Sequence, residues 1–399
     1  MSTPQKTFRR QIILLGVFRS FRSVAAGMVT LAFPYLILKN LHFSSLTLGF
    51  IYTAATLATA GLGLLCGFLA DTWGRKKTLI FISVLLPVGC GVAYFSHNLF
   101  WIYASAMLGG FSATGALAGG GVGGAAQPIQ SALIADLTAP EERTFYFSIF
   151  TFVSGALAAV GILLARFFSA QTNFLAATII STVGLLGLIP LRLKDHIGSA
   201  KKLQGKKTIG KFAVTGLLNG FSQGLITPFL VPFFVIVYHV PRPQMAVYGF
   251  LSGLLGAVAM LAAPYLERTL GFVYSIAVTR GIGAFLLILL PAQKNFILAL
   301  AIYFLTPALR VAALPAQQTA MTEFVPGEER GRALALNQVA RLGSSSAGTV
   351  LTGAMFNIEE IGLPFYIYGA VMAVNIGLYF FFFGKKTGKN IETKIEISS

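Results

Sequence analysis

The sequence predicts an all-α membrane protein with twelve transmembrane helices in two pseudo-symmetric six-helix bundles. Three observations carry that expectation. Charged residues make up only 11% of the chain and hydrophobic residues 55%, whereas an ordinary soluble domain is about 25% charged. The apolar residues gather into twelve runs, each near or above the roughly 20 residues needed to cross hydrocarbon. The cations between those runs sort strongly to one side.

The first run, about 11–38, follows Lys6, Arg9 and Arg10. The second and third, about 45–70 and 78–96, flank the polar stretch from Gly67 to Lys77. The fourth, about 99–137, is 39 residues long, or about 58 Å as a straight helix against a core of ~30 Å. It contains Gly119-Gly120-Gly121-Val122-Gly123-Gly124, a poor helix former, so a kinked, broken or looped-out segment is expected there. Runs at about 144–167 and 173–191 complete a first set of six. The second set covers about 211–238, 245–266, 272–292, 296–324, 331–356 and 364–383. Between the sets, Arg192 to Lys211 carries seven cations and one acid, Asp195. The expected organisation is a bundle over 1–191, a basic linker over 192–210, a second bundle over 211–384 and a tail over 385–399.

A net charge of +17 invites a nucleic-acid reading, but the placement of the cations argues otherwise. Twenty-one of the 30 fall on one side of the spans and four (Lys39, Arg166, Arg242 and Lys294) on the other. This is the positive-inside bias, which puts both termini and the central linker in the cytoplasm and makes nucleic acid an unneeded partner. The linker's cations are those of a solvated loop within reach of anionic lipid. Cys66 and Cys90 lie within apolar runs and have no metal-ligand spacing, so they read as small buried side chains. The first run is too long for a cleavable signal peptide and lacks a small-residue cleavage site.

An internal repeat supports the division. Pro128, Gln130 and Asp136 precede Glu141-Glu142-Arg143; 187 residues on, Pro315, Gln317 and Glu323 precede Glu328-Glu329-Arg330. Parallel repetition of two halves is a transporter architecture.

Between the second and third runs the chain reads Gly67-Phe68-Leu69-Ala70-Asp71-Thr72-Trp73-Gly74-Arg75-Lys76-Lys77. An acid and three consecutive cations cannot sit in hydrocarbon, so this is a tight, solvent-facing turn. Gly67 lets helices approach closely, and Gly74 permits a backbone angle closed to other residues. The stretch resembles the signature loop between helices 2 and 3 of the major facilitator superfamily, G-x-L-A-D-x-x-G-R-[KR]-x. Gly67, Leu69, Ala70, Asp71, Gly74, Arg75 and Lys76 match, and Thr72 departs where the family usually carries a second basic residue. A degraded echo, Leu266-Glu267-Arg268-Thr269-Leu270-Gly271, lies in the second half. The resemblance implies a charge network in which Asp136 joins Asp71 and Arg75, with Arg143 nearby, made and broken as the halves rock. It also implies that helices 1, 4, 7 and 10 line the central path.

The residues give independent reasons to look at those helices. Buried arginine is expensive at the bilayer centre, so it is kept facing a cavity or a partner. Arg19 and Arg22 are three apart and share a face of helix 1. Arg22 and Arg310 lie near mid-membrane by helical rise. Gln127 and Gln130 in helix 4, Asn219 and Gln223 in helix 7 and Gln317 in helix 10 supply polar neighbours. No carboxylate falls in mid-span, and uncompensated guanidinium favours carboxylate or phosphate. Arg19, Arg280 and Arg341 have a plainer reading as snorkelling or helix-end cations, with Arg341, Asn337 and Gln338 as the weaker candidate group.

These observations point to a secondary transporter working by alternating access on a small organic anion or anionic amphiphile. The runner-up is proton-coupled efflux of apolar or cationic drugs, suited to 35 Phe but lacking a mid-span acid and a Gly-Pro pair in helix 5. A membrane receptor or scaffold would need no such signature loop. Four histidines and no nucleophile constellation speak against an enzyme. The expected partners are a small-molecule substrate and membrane lipid, with a coupling ion left open. No cofactor or metal is expected, and the chain is expected to be a monomer in the plasma membrane.

Overall fold

The computed structural model describes residues 3–111, 126, 129–130, 133–134, 143–191, 206–324 and 330–398. Among the described residues the regular structure is helical, with no strand. Helix α1 (Thr3–Tyr35) runs from the basic face of the molecule to the opposite face and ends in a π turn, Leu36–Asn40. Helix α2 (Ser45–Trp73) starts at Ser44, whose hydroxyl accepts the Thr47 amide hydrogen at 3.1 Å. That bond satisfies one of the amides every helix start leaves open.

Helix α2 returns to the basic face, and α3 (Arg75–Phe95) leaves it after a single residue, Gly74, at φ 86° and ψ 151°. Only glycine adopts that conformation at little cost, as the sequence led us to expect. Gly271 repeats the geometry at φ 74° and ψ 170° within α9 (Arg242–Leu289), dividing that long helix into two crossings. The degraded echo of the signature loop has thus kept the glycine that turns the chain while losing the acid.

Helix α4 (Leu99–Gly109) is capped by Asn98 and ends where Gly110 turns left-handed at φ 61°. The long fourth run therefore leaves its helix early. The Gly119–Gly124 stretch, for which a break was expected, lies outside the described residues. Helices α5 (Arg143–Leu164) and α6 (Thr172–Leu186) complete the first half. In the second half, α7 (Lys206–Ile226) passes through a turn at Thr227–Phe229 into α8 (Leu230–Val237), forming one crossing with a break at Pro228. After α9 come α10 (Phe296–Phe324), α11 (Arg330–Asn357) and α12 (Leu363–Ser398). The described residues thus form twelve helices and twelve crossings, since α7 and α8 share one crossing and α9 makes two.

Among the described residues eight spans are long and apolar enough to cross a membrane, two of them in α9 and one formed by α7 with α8, and α4, α6 and part of α10 are shorter apolar helices. Large apolar side chains such as Phe95, Ile297 and Phe381 are more than three-quarters or about three-quarters exposed on the rim, as lipid-facing positions should be. Helix α11 is the exception, carrying Asn337, Gln338, Arg341, Ser344, Ser345 and Ser346. Its position explains this, because it packs against α7 on one side and α2 on the other.

The α7–α11 seam is a ladder of glycines. Gly216, Gly220 and Gly224 face Asn337, Arg341 and Ser345, and a methyl group at Gly220 or Gly224 would land on the backbone of α11. Four-residue spacing puts small residues on one helix face, and backbone-close packing is what holds helices together in lipid. The signal was present in the sequence but was read only as polar neighbours.

The two halves meet along α2 with α11 and along α5 with the first leg of α9. Thr53 in α2 donates to the Ser346 carbonyl at 3.0 Å. Gly49 sits against Thr349 and Gly353, Gly253 against Ala159, and Gly249 against Ile162. Tyr35 at the end of α1 donates to the Val240 carbonyl at 2.8 Å. Each of these contacts lies in the part of its helix toward the face opposite the basic one, so the halves are closed together there.

Candidate functional site

Among the described residues the acids sit in connections, near helix ends or beside the Gly271 reversal, whereas five arginines lie inside the crossings. The structure places Arg19 and Arg22 on α1, about 13 and 18 Å along from Arg10. Arg19 is buried and does not snorkel. Its Nε donates to the Ser154 hydroxyl of α5, and its guanidinium lies 5.8 Å from the centre of the Phe150 ring. Ser154 in turn donates to the Phe150 carbonyl at 2.7 Å. Arg22, one turn deeper, is 9% exposed, and its Nη1 has no hydrogen-bond partner. The plainer reading of Arg19 as an interfacial side chain is thereby corrected.

The second half brings three arginines together. Arg310 lies about 21 Å along α10 from Phe296, within electrostatic reach of Arg280 on α9 and Tyr368 on α12. Arg341 on α11 lies within reach of both Arg310 and Arg280. Arg280 donates to the Asn375 side-chain oxygen at 2.8 Å and stacks over the Tyr379 ring at 5.2 Å. Asn375 donates to the Thr215 carbonyl of α7 at 2.9 Å. Arg341 donates to Gln338 at 2.8 Å. Neutral amides thus take up part of the donor capacity, and Arg310 Nη1 is left without a partner.

Sequence reasoning singled out Arg310 but ranked Arg341 low and treated Arg280 as structural. It did not reach Asn375, Tyr368 or Tyr379. The latter three come from α12, which the sequence offers no reason to place beside α9 and α10. Asn375 did carry a signal, since an amide inside an apolar run needs a partner.

The remaining candidates divide. Gln130 is 4% exposed, and Asn219 and Gln223 are buried one turn apart on α7. Gln223 donates to Asn219 at 3.5 Å, while the Asn219 amide nitrogen has no partner. Gln127 and Asp136 lie outside the described residues, as do the side chains of Gln317, Asp71 and Arg143. Gly67 lies within α2, and Arg75 opens α3 half-buried. Its neighbour Lys76 donates to the Ile189 carbonyl beyond α6 at 2.9 Å, fastening that end of the first half.

Helical crossings in two repeated halves, single-glycine reversals at Gly74 and Gly271 and a polar interior describe an architecture that can be compared with known proteins. Residues 15–309 match the model of the Major Facilitator Superfamily. This chain belongs to that superfamily. A curated relative, the Multi-drug resistance efflux pump PmrA homolog of Lactococcus lactis subsp. lactis (strain IL1403), is 25% identical over 282 residues. That match covers 67% of this chain and 64% of the relative, so it spans less than two thirds of the relative's length.

Among solved structures, the human organic anion transporter MFSD10 (TETRAN) superposes with a TM-score of 0.70 at 12% identity, covering 93% of this chain and 99% of that one. A bacterial homolog of the human lysosomal transporter Spinster, in an inward-facing and unoccupied conformation, gives 0.73 at 13% identity over 96% and 97%. At such identities the likeness is one of superfamily fold.

Proposed function

We propose that this protein is a secondary transporter that carries a small organic anion or anionic amphiphile by alternating access. One observation carries the substrate class: five arginines lie within the crossings while the acids lie outside them. A buried cation without a counter-charge is costly in a low-dielectric interior. Guanidinium pairs with carboxylate or phosphate through two parallel hydrogen bonds. Arg22 from one half and Arg310 from the other each offer an Nη1 without a partner. They are the proposed charge-pairing groups, with Arg19, Arg280 and Arg341 shaping the field and Gln130, Asn219 and Gln223 supplying neutral hydrogen bonds.

The basic face is proposed to be cytoplasmic by the positive-inside rule. Contacts between the halves on the opposite face support reading this as an inward-facing form. Gly67, Asp71, Gly74, Arg75, Asp136 and Arg143 are proposed as the gating network of the basic face, and the bundle divisions are those set out from the sequence.

Thermal stabilisation of the purified protein tests the reading, because a ligand that binds the native state raises its melting temperature by mass action. Stabilisation by one class of anion, lost in Arg22→Gln or Arg310→Gln, is the expected result. The second reading, efflux of apolar or cationic drugs, has the efflux-pump relative in its favour. Stabilisation by greasy cations alone would select it.

A further inference from the structure

We infer that Arg242 is an anion-binding site on the face opposite the basic one, completed only when the halves part on that face. An anion in the solution on that side holds the transporter open toward it. The site is separate from the central arginines and independent of what they bind.

Four cations lie on this face, Lys39, Arg166, Arg242 and Lys294. Lys39, Arg166 and Lys294 are exposed, as solvated cations should be. Arg242 is different. It is half-buried, and its Nη1 is enclosed without a hydrogen-bond partner. It is also the first residue of α9, where Pro241 supplies no capping side chain and the first turn holds no acid. A helix start favours negative charge and disfavours a cation. Enclosing a charged donor without an acceptor adds a desolvation cost. Among the described residues the acids on this face are Glu359 and Glu360, both exposed, and neither reaches Nη1. In this form the arginine is held where its charge and its burial both count against it.

The group that closes over it belongs to the other half. Tyr35, at the end of α1, lies within electrostatic reach of Arg242. Its hydroxyl proton is committed to the Val240 carbonyl at 2.8 Å, two residues before the arginine. Tyr303 on α10 is within reach of the same hydroxyl, and Gly249 of α9 packs against Ile162 of α5. Arg242 therefore sits at the rim of the seam between the halves. Pro241 and Pro243 restrict the backbone on either side of it and fix it to the second half.

When the halves part on this face, Tyr35 leaves with the first half and Arg242 stays with α9. Nη1 then meets water, and both Nη atoms can pair with two oxygens of a carboxylate, sulfonate or sulfate. In the closed form that paired bonding is blocked, because Nη1 is enclosed. A ligand that binds one form more tightly shifts the equilibrium toward it by the difference in affinity. The anion thus acts from the outer solution on the direction of opening.

The test uses the full chain in nanodiscs, spin-labelled at Lys39→Cys and Lys294→Cys, one position in each half on this face. The native cysteines are buried. The probes are sodium sulfate and sodium benzenesulfonate, each compared with sodium chloride at equal ionic strength. At about ten times its half-saturating concentration, a probe should raise the ratio of long to short distances close to tenfold. The rise should vanish in Arg242→Gln and be weaker in Arg242→Lys, which keeps the charge and loses the paired bonds. It should persist in the Arg22→Gln, Arg310→Gln double variant, so a failed substrate reading leaves this result intact. No rise in the wild type, or an equal rise in Arg242→Gln, would overturn the site. Loss of the rise in the double variant would assign the anion to the central arginines and overturn it too. Should Arg242→Gln fail to fold, Arg242→Lys decides alone, and an undiminished rise there overturns the paired-bond site.

Discussion

Tyr35 at the end of α1 and Val240 in the connection between α8 and α9 belong to different halves of the molecule, and a 2.8 Å hydrogen bond from the tyrosine hydroxyl to the valine carbonyl joins them. Arg242 lies within electrostatic reach of the same hydroxyl. The tie sits on the face opposite the basic one, where α2 also meets α11.

Tyr35→Phe keeps the ring and removes the tie. A net hydrogen bond contributes about 1 kcal/mol, so the ratio of forms closed to forms open on that face should fall roughly fivefold. Spin labels at the exposed positions of Lys39 and Lys294 would report the change as a longer distance population, and the two native cysteines are buried. An unchanged distance distribution would show that the other contacts on that face suffice.

The glycine ladder gives a second prediction. A methyl at Gly224 meets the Ser345 backbone, whereas one at Gly343 has open space around it. Overpacking a close contact costs about 1–3 kcal/mol, and replacing glycine by alanine in an unhindered helix favours the helix by about 1 kcal/mol. Gly224→Ala should therefore lower the melting temperature and Gly343→Ala should leave it unchanged or raise it. If the two variants melt alike, α7 and α11 are not packed backbone to backbone.

Asn375 separates the structural and ligand-binding roles of the arginine group. Asn375→Asp puts a carboxylate where a neutral amide now accepts from Arg280. The carboxylate gains charge pairing with Arg280 but turns an oxygen toward the Thr215 carbonyl where the amide now donates, so the two effects oppose each other and the melting temperature should change little. The same carboxylate repels an anion, and anion affinity should fall by about tenfold or more. Unchanged anion affinity in the folded variant would mean that Arg280, Arg310 and Arg341 serve the fold alone.

These contrasts also show how far the sequence could be read. The reversal at Gly74 was legible because charges and a glycine interrupt two apolar runs, and Gly271 followed from its weaker copy. The depth of Arg22 and Arg310 was legible because a helix converts residue number into height. Height alone does not give neighbours, however. Arg280 and Asn375 are 95 residues apart, and their meeting depends on α12 folding back beside α9. The same reasoning left two readings open for Arg19, a site residue or a snorkelling one, and the structure sets it inside against Ser154. Helix α11 was counted among the spans from its length, but its polar residues found their place only when the structure set it between α7 and α2.

The central claim is that arginines from both halves hold one anion, and equilibrium binding tests it most directly. Affinity for the anion that best stabilises the purified protein should be measured in the wild type, in Arg22→Gln, in Arg310→Gln and in the double variant. The account predicts that each single change weakens binding by about tenfold or more, as loss of a charge-assisted hydrogen bond requires, and that the double variant binds no better than either. Wild-type affinity in a folded double variant would contradict it and return both arginines to the architecture of the bundle.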